Sequence, residues 1–315
     1  MALCLSQVST AQTPSMSPRA RAYLQGALDT LQSVIIKSDT VSWQHVRDTA
    51  FLIAGGAQEE RDTYGAVAWA LRRANSHSFL QARPGGVAWR MLTGRVGYVR
   101  VPQINGAGVP AADSIHGAIR SLDSAGACGW IVDLRSNGGG NMWPMLAGAG
   151  PLLGDSIVGS FGDRALADRW LYRDGAAFLL KPDGRRDTAS AIRGPAHRLK
   201  DELPPVAVLM DGITGSSGEA MVLAFRGRPN TRSYGAPTAG AATANRGSRL
   251  PDGANMVVTA GFMADRTGAQ SDGRVHPDSI VDIPAPVFPG WPFATDATAS
   301  VARGWVSSRP QCRPR

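Results

Sequence analysis

The chain has 315 residues, is 43% hydrophobic and carries a net charge of +8, from 33 Lys and Arg against 25 Asp and Glu. This length and hydrophobic content allow a sizeable core, which argues against an intrinsically disordered protein. The basic residues are scattered and form no stripe interleaved with aromatic residues, so nucleic-acid binding is not expected. No apolar run reaches the roughly 18–20 residues that a membrane span requires, so none is predicted.

The N-terminal residues 1–17 are similar to the end of an export signal. A short apolar stretch precedes Ser9-Thr10-Ala11, a plausible signal-peptidase site, but a positively charged start is lacking and the apolar region is short. We interpret the segment either as a signal remnant whose beginning lies upstream of Met1 or as a disordered N-terminus.

Residues 18–74 carry apolar residues at helical spacing in three stretches, 19–36, 41–51 and 63–73. They predict a small helical N-terminal subdomain.

From Val87 onward the pattern changes to β-strands. Strand 94–102, helix 111–125 and strand 130–134 predict a right-handed βαβ unit with parallel strands, and the alternation in strand 94–102 predicts one water-exposed face. A glycine-rich loop with Gly138 to Gly140 follows, and such a loop brings backbone N–H groups close to a ligand. It fits neither a dinucleotide fingerprint nor a P-loop, so no nucleotide cofactor is expected.

The rest of the chain predicts further short elements. Residues 142–160 are helical and then loop-like, and 161–204 predict an exposed antiparallel excursion. The apolar run 206–210 predicts a strand buried on both faces. Strands are predicted at 232–234 and 256–262, residues 268–284 end the sheet, and a tail with Trp and Pro residues follows from 286 to 315.

Ser216 lies in the glycine-rich corner between strand 206–210 and a predicted helix. Glu219 stands three residues later, as in a capping box, so Ser216 could be an N-cap and nothing more. The alternative is a nucleophile, because a sharp strand-to-helix turn exposes a serine and the N–H groups of the helix can stabilise an oxyanion. A base would have to come from elsewhere, and His77, between two serines, is either a turn residue or that base.

Four motifs occur in one order: Ser-His-Ser at 76–78, DLRSNGGGN at 133–141, VAVLMDGITGSSGEA at 206–220 followed by GAPTAG at 235–240, and DGRVHPDSIVDI at 272–283. Together they resemble the S41 serine peptidases, the C-terminal processing (tail-specific) and tricorn-core group, over roughly residues 40–284. The resemblance implies an α/β fold, a crotonase/ClpP-like α/β core with a mixed sheet after the small helical N-terminal subdomain.

The resemblance also implies site residues. Ser216 matches the nucleophile, and Ser217 with Gly138 or Gly139 matches the N–H donors of the oxyanion hole. Tail-specific members carry a lysine base 25 residues after the serine, where this chain has Ala241.

Without that lysine, the chain is more similar to the tricorn branch, whose base is a histidine ahead of the core. This implies His77 as the base, with Ser76 beside it and Asp272 as the acidic member. Gln270 is a competing alignment for Asp272, and His276 is an alternative base from a different loop.

The predicted organisation is a signal remnant or disordered N-terminus at 1–17, a helical subdomain at 18–74, an S41-like peptidase core at 75–290 and a tail at 291–315. About 17 residues separate His77 from the strand that starts at Gly94, too few for a PDZ module.

The implied function is a serine peptidase that acts on a peptide or protein substrate, needs no cofactor or metal, and is periplasmic or secreted. The alternatives are a non-catalytic S41-like protein that binds hydrophobic ligands or peptides, and an esterase for small acyl groups. Cys128 fits an ordinary core position, and its pairing with Cys312 stays open.

Overall fold

The computed structural model describes residues 15–36, 38–75, 80, 86–162, 168–271, 273–281 and 296–313. The chain divides into two compact units: Met1–Gln81 with Val287–Pro292, and Ala82–Pro286 with Phe293–Arg315. Within these described ranges, no helix has both the length and the apolar character that crossing a membrane requires.

The smaller unit is helical, as predicted. Its described residues form α1 (Pro18–Val34), α2 (Trp43–Ile53) and α3 (Tyr64–Ala74), with short 3-10 turns at Ser38–Thr40 and Glu60–Thr63. Ser17 caps α1 by accepting a hydrogen bond from the N–H of Ala20 at 3.1 Å. The apolar faces of the helices form a core of their own, which includes Leu24, Leu28, Val46, Ala50, Ala66 and Ala70.

The larger unit contains, in chain order, β1 (Ala88–Leu92), β2 (Val96–Arg100), α4 (Val109–Ser124), β3 (Gly129–Asp133), α5 (Met142–Leu153), β4 (Ser156–Phe161), β5 (Asp168–Arg173), β6 (Ala176–Leu180), β7 (Arg186–Ala191), β8 (Val206–Met210), α6 (Ser217–Phe225), β9 (Thr231–Gly235), β10 (Thr243–Arg249), β11 (Asn255–Ala264), β12 (Ser279–Ile280) and α7 (Ala297–Ser307).

The first sheet of the larger unit has the described strands in the order β1-β2-β3-β8-β9-β12. β1 pairs with β2 in antiparallel register, and each following pair is parallel, so the sheet is mixed as expected. Tyr98 lies opposite Ile131, which confirms the predicted parallel pairing of β2 and β3. Parallel strands end at one edge of the sheet, and the loops after β3 and β8 therefore meet there.

The prediction of a water-exposed face on the strand at 94–102 is wrong, because every residue of β2 is buried. On one face Val99 packs in the same core as Ile115 and Ile119 of α4. On the other face Tyr98 packs in a cluster with Val306 of α7. The covering helix lies in the segment that the sequence pattern indicated as a tail.

A disulfide fastens this C-terminal segment to the sheet. Cys128, next to the first residue of β3, is bonded to Cys312 in a 3-10 turn at Pro310–Cys312, with the two Cα atoms 5.1 Å apart. The pairing that the sequence left open is therefore present.

The second sheet has the described strands in the order β10-β11-β4-β5-β6-β7 and is antiparallel. Its strands β4 to β7 include the antiparallel excursion that the turn residues predicted. β10 was not predicted, and β11 joins the excursion by pairing Met263 with Phe161 of β4. The chain after α6 therefore pairs, through β11, with the strands of the antiparallel excursion.

Candidate active site

Ser216 occupies a strained corner immediately before α6. Its φ is 50° and its ψ is −115°, a backbone conformation that residues with a side chain rarely adopt. Such strain costs about 1–3 kcal/mol and persists only where the surroundings hold it. The position at a strand-to-helix turn agrees with the prediction.

Glu219 holds that corner. Its side chain is fully buried. One carboxylate oxygen, Oε2, accepts hydrogen bonds from the N–H groups of Ser216 at 2.7 Å and Ala241 at 2.9 Å. The other oxygen, Oε1, accepts from the Thr238 hydroxyl at 2.5 Å and the Gly240 N–H at 2.9 Å. The carboxylate therefore ties the 238–241 loop to the serine corner, beyond the capping role that its spacing predicted.

Position 241, where the tail-specific pattern has a lysine, thus lies beside the Ser216 corner and carries a methyl group. The two described lysines are held by other partners: Lys181 Nζ lies 2.8 Å from an Asp168 oxygen, and Lys200 Nζ donates to the Asp123 carbonyl at 3.1 Å. Lys37 is outside the described residues.

The glycine-rich loop after β3 packs directly against Ser216. A Cβ added to Gly139, whose φ is +118°, would lie 2.9 Å from the Ser216 Cβ and 3.2 Å from the Ser217 nitrogen. Only glycine fits so close an approach with a positive φ. The Ser217 hydroxyl donates to the Gly140 carbonyl at 2.6 Å and joins the start of α6 to this loop.

The N–H groups near Ser216 differ in their availability. Ser217 is the first residue of α6, where backbone N–H groups have no partner within the helix. The Gly139 N–H donates to the Asn137 side-chain oxygen at 3.0 Å. Of the two glycines considered for the oxyanion hole, Gly139 thus already uses its N–H in a hydrogen bond.

Asp211, which sequence reasoning missed, links the two corners. Its buried carboxylate accepts from the Ser136 N–H with both oxygens at 3.1 Å, and from the Ile213 and Thr214 N–H groups at 3.0 and 2.9 Å. The Asp-Gly pair after the apolar run was a sequence signal for a turn, but the partner at Ser136 is 75 residues away.

An ion network lies beneath the glycine-rich loop. The Arg135 guanidinium lies 2.6 Å from an Asp133 oxygen and 2.7 Å from an Asp296 oxygen, and all three side chains are buried. Burial alone would lower the pKa of Arg135, but the two carboxylates raise it well above its ordinary value. Asp296 also caps α7 by accepting from the Ala299 N–H at 2.9 Å. The loop base is therefore anchored to the C-terminal helix.

The remaining residues predicted for the site, Ser76, His77 and Asp272, lie outside the described residues. The neighbours of Asp272 are described: the Gly273 carbonyl accepts from the Ala242 N–H at 3.0 Å, and the Ser271 N–H donates to the Met263 carbonyl at 3.0 Å. These contacts hold Gly273 against Ala242, which follows the loop that Glu219 fixes, and Ser271 against β11.

The two competing candidates are both exposed. Gln270 forms an isolated antiparallel bridge with Ala264, and the carbonyl of His276 accepts a hydrogen bond from the Arg226 side chain.

Ser216 and Ser217 line a cavity of about 700 Å³. Its walls come from the glycine-rich loop, from the start of α5 and from the second sheet. This volume is within the range of small-molecule and peptide sites. In the part of the chain that is described, no group of three or more His, Cys, Asp or Glu side chains is arranged to hold a metal.

Comparison with known proteins gives one family match. The model of peptidase family S41 matches residues 95–281, more than half of the chain. This range includes the glycine-rich loop, Ser216, Glu219 and the 238–241 loop.

Individual relatives share at most 28% of their aligned residues with this chain. The nisin-resistance protein of Lactococcus lactis subsp. lactis is 27% identical over 261 residues, 79% of each chain. The carboxyl-terminal-processing protease of Picosynechococcus sp. is 28% identical over 165 residues, 52% of this chain and 34% of that protein, so the match spans about a third of its length. The solved structure of a lipoprotein from Streptococcus agalactiae has the same fold, with a TM-score of 0.52 and 20% identity over 95% of this chain and 100% of the other.

Proposed function

The chain belongs to peptidase family S41, and on that premise we propose that it is a serine peptidase in which Ser216 is the nucleophile and His77 the general base. The observation that carries the proposal is the conformation of Ser216 at the start of α6. The backbone there is strained, the buried carboxylate of Glu219 holds it, and the serine lines a cavity of about 700 Å³. A serine that served only as an N-cap would not need this conformation.

In the proposed reaction the Ser216 hydroxyl oxygen attacks the carbonyl carbon of the scissile bond while His77 takes the hydroxyl proton. The tetrahedral intermediate collapses, the C–N bond breaks, and the amine leaves with the proton from His77. Water then attacks the acyl-enzyme by the same route, which releases the acid and restores Ser216. Ser76 and Asp272 would orient His77.

The oxyanion of the intermediate would accept hydrogen bonds from the N–H groups of Ser217 and Gly138. Two observations support this pair. Ser217 is the first residue of α6, and the Gly139 N–H already donates to the Asn137 side chain. Loss of one such donor typically raises the barrier by about 2.7–4 kcal/mol.

A histidine base fits the chemistry of the serine corner better than a lysine base. The alanine at position 241 cannot accept a proton, although Glu219 Oε2 places its backbone next to that of Ser216. The contact of Gly273 with Ala242 brings the chain next to Asp272 close to the 238–241 loop, which supports an acidic group on this side of the site.

Covalent labelling tests the nucleophile. A fluorophosphonate probe should label the wild-type protein and spare Ser216→Ala. Equal labelling of both proteins would contradict the assignment and would place the reactive group elsewhere. Labelling of neither would also contradict it and would favour a non-catalytic binding protein on this scaffold. A panel of matched peptide and ester substrates separates a peptidase from an esterase.

A pair of histidine variants tests the base. His77→Ala should lower kcat/KM by about 10²- to 10⁴-fold, the usual contribution of general-base catalysis. His276→Ala is the matched control and should retain activity. In the wild type, kcat/KM should fall as the pH drops through roughly 6 to 7, where a histidine gains its proton. Full activity in His77→Ala would remove this residue from the mechanism.

Nisin is the first substrate to test, since the relative that matches 79% of this chain is named for resistance to it. Mass spectrometry should detect cleavage products after incubation with the wild type and none with Ser216→Ala. Intact nisin together with cleavage of other peptides would limit the proposal to a peptidase of different specificity.

We also place the protein outside the cytoplasm, in the periplasm or secreted. The Cys128–Cys312 disulfide supports this, because such bonds persist in oxidising compartments. Mass spectrometry of the native N-terminus is the test, and a cytosolic protein that still carries residues 1–9 would contradict export.

A further inference from the structure

The cavity beside Ser216 has one wall made of apolar side chains. Four elements contribute to it: the first turn of α5, the end of β4, β6 and β11. The side chains of this wall, hereafter the apolar wall, are Met142, Trp143, Phe161, Leu179 and Met263.

The apolar wall is buried at its base and partly exposed at its surface. Met142 and Met263 are 4% and 3% exposed. Trp143, Phe161 and Leu179 are only partly buried against the core. Phe161 packs edge-to-face on Trp143, with ring centroids 6.4 Å apart, and on the buried Trp170 at 4.8 Å. These contacts hold the aromatic rings in place while part of their apolar area stays in contact with the cavity.

The charge of the described part of the cavity lining does not favour binding of a carboxylate. Among the described residues that line it, Asp168 alone carries a charge, and that charge is negative. Lys181 lies 2.8 Å from the Asp168 carboxylate and compensates it. The described lining thus offers no arginine, lysine or histidine to pair with the free carboxy terminus of a chain.

We propose that the apolar wall is the specificity subsite of the peptidase and selects peptides with a bulky hydrophobic side chain next to the scissile bond, within the chain and not at its carboxy terminus. The inference rests on the proposed function for cleavage but not for binding. A large apolar side chain would displace water from Trp143, Phe161 and Leu179, and a small or anionic side chain would not. Because one methylene in such a pocket already changes kcat/KM by about tenfold or more, Phe over Ala in the substrate should give at least that preference.

Binding to Ser216→Ala tests the subsite independently of catalysis. Fluorescein-labelled peptides, each with Phe, Leu, Ala or Asp at one position and with a free or an amidated carboxy terminus, are titrated by fluorescence anisotropy. At one position, Phe and Leu should bind at least about tenfold more tightly than Ala, and Asp should bind no better than Ala. Amidation should leave Kd unchanged within about twofold, since no described cation lines the cavity.

Variants of the apolar wall then test whether it is the source of the preference for Phe over Ala. In the Ser216→Ala background, Phe161→Ala and Leu179→Ala should each reduce the Phe-to-Ala ratio of Kd values severalfold. Trp89→Ala is the matched control, because Trp89 is 51% exposed on β1 and does not line the cavity. Far-ultraviolet circular dichroism and thermal unfolding check each fold, and Phe161→Leu, which keeps an apolar side chain, replaces Phe161→Ala if that variant fails to fold.

The outcomes separate the two proposals. Three outcomes would overturn the subsite, whatever the catalytic activity. They are equal Kd values for Phe and Ala peptides, a Phe-to-Ala ratio unchanged in both Phe161→Ala and Leu179→Ala, and a requirement for a free carboxylate. Selective binding without fluorophosphonate labelling of the wild type would uphold the subsite and reject the proposed function. With an active wild type, the same Phe-to-Ala preference should appear in kcat/KM.

Discussion

At the scale of single residues, Ser216 and Glu219 act together to hold a strained corner of the backbone. The serine adopts a conformation that favours glycine, and the neighbouring carboxylate holds it there through the backbone N–H. The strain lowers stability at the position that we propose for the nucleophile.

Replacement of Ser216 should reveal this strain. Ser216→Gly should be more stable than Ser216→Ala by about 1 kcal/mol, because glycine adopts a positive φ without steric cost but loses more entropy on folding. Urea unfolding of the two variants measures the difference. A Ser216→Gly variant that is less stable than Ser216→Ala by about 0.5–1 kcal/mol, the ordinary entropic cost of glycine, would show that the corner is not strained.

Glu219→Gln should destabilise the protein by about 1–3 kcal/mol, because the amide NH2 replaces one oxygen, each oxygen accepts from two of the four donors, and at least one backbone N–H is then left unsatisfied. Urea unfolding measures the loss. Glu202→Gln, at an exposed position, is the control and should change stability by less than about 0.5 kcal/mol. Matching values for the two variants would contradict a role for Glu219 in holding the loop.

At the scale of elements, a histidine pair fastens the segment between β7 and β8 to α4. The buried ring of His116 accepts a hydrogen bond at Nε2 from the His197 N–H at 2.9 Å, and His197 Nε2 lies 2.8 Å from an Asp123 oxygen. An Nε2 that accepts cannot carry a proton, so His116 is neutral. Burial, with the nearby His197 next in effect, lowers the pKa of His116 to about 4.

This contact predicts a pH dependence of stability. In the unfolded chain, histidine protonates at about 6.5, so between that pH and about 4 the unfolded state binds more protons than the folded state. The stabilisation is fully present above pH 6.5 and is lost as the pH falls to about 4, by up to about 3 kcal/mol.

His116→Gln keeps an acceptor near the Nε2 position and removes the titration. Urea unfolding at pH 7 and pH 4 should therefore give a larger loss for the wild type than for this variant. Parallel curves for the two proteins would contradict the neutral, buried state of His116.

At the scale of the whole molecule, each of the two units has its own core, and the disulfide lies in the larger one. Reduction, or Cys128→Ala with Cys312→Ala, should destabilise the larger unit by about 2–5 kcal/mol, the usual effect of losing a native disulfide. Differential scanning calorimetry should show a lowered transition for this unit and an unchanged one for the helical unit.

A variant in the helical unit assigns the two transitions. Leu28 is 1% exposed in α1, and Leu28→Ala should lower the helical transition alone, by about 2–5 kcal/mol. A single transition that shifts as a whole in both experiments would mean that the units unfold together.

Short-range physics made the local structure around Ser216 predictable. The period of apolar residues, the capping box at Ser216 and Glu219, and the glycines after β3 act over a few residues. They indicated β3, β8 and α6 correctly, although the apolar period missed β10 and α7. The βαβ unit also followed, because parallel strands joined by one helix need no distant partner to be recognised. The S41 resemblance added the pairing of the two glycine-rich corners.

The sequence by itself thus determined many of the local elements, the corner that presents Ser216 and the family. Tertiary structure alone decided the contacts between distant positions: Arg135 with Asp296, 161 residues apart, Cys128 with Cys312, 184 apart, and β11 with β4. The segment predicted as a tail forms the helix that covers β2. The predicted antiparallel excursion forms a wall of the cavity. Periodicity and capping record only near neighbours along the chain, whereas these contacts form because buried charges and apolar faces need partners that only the folded chain brings together.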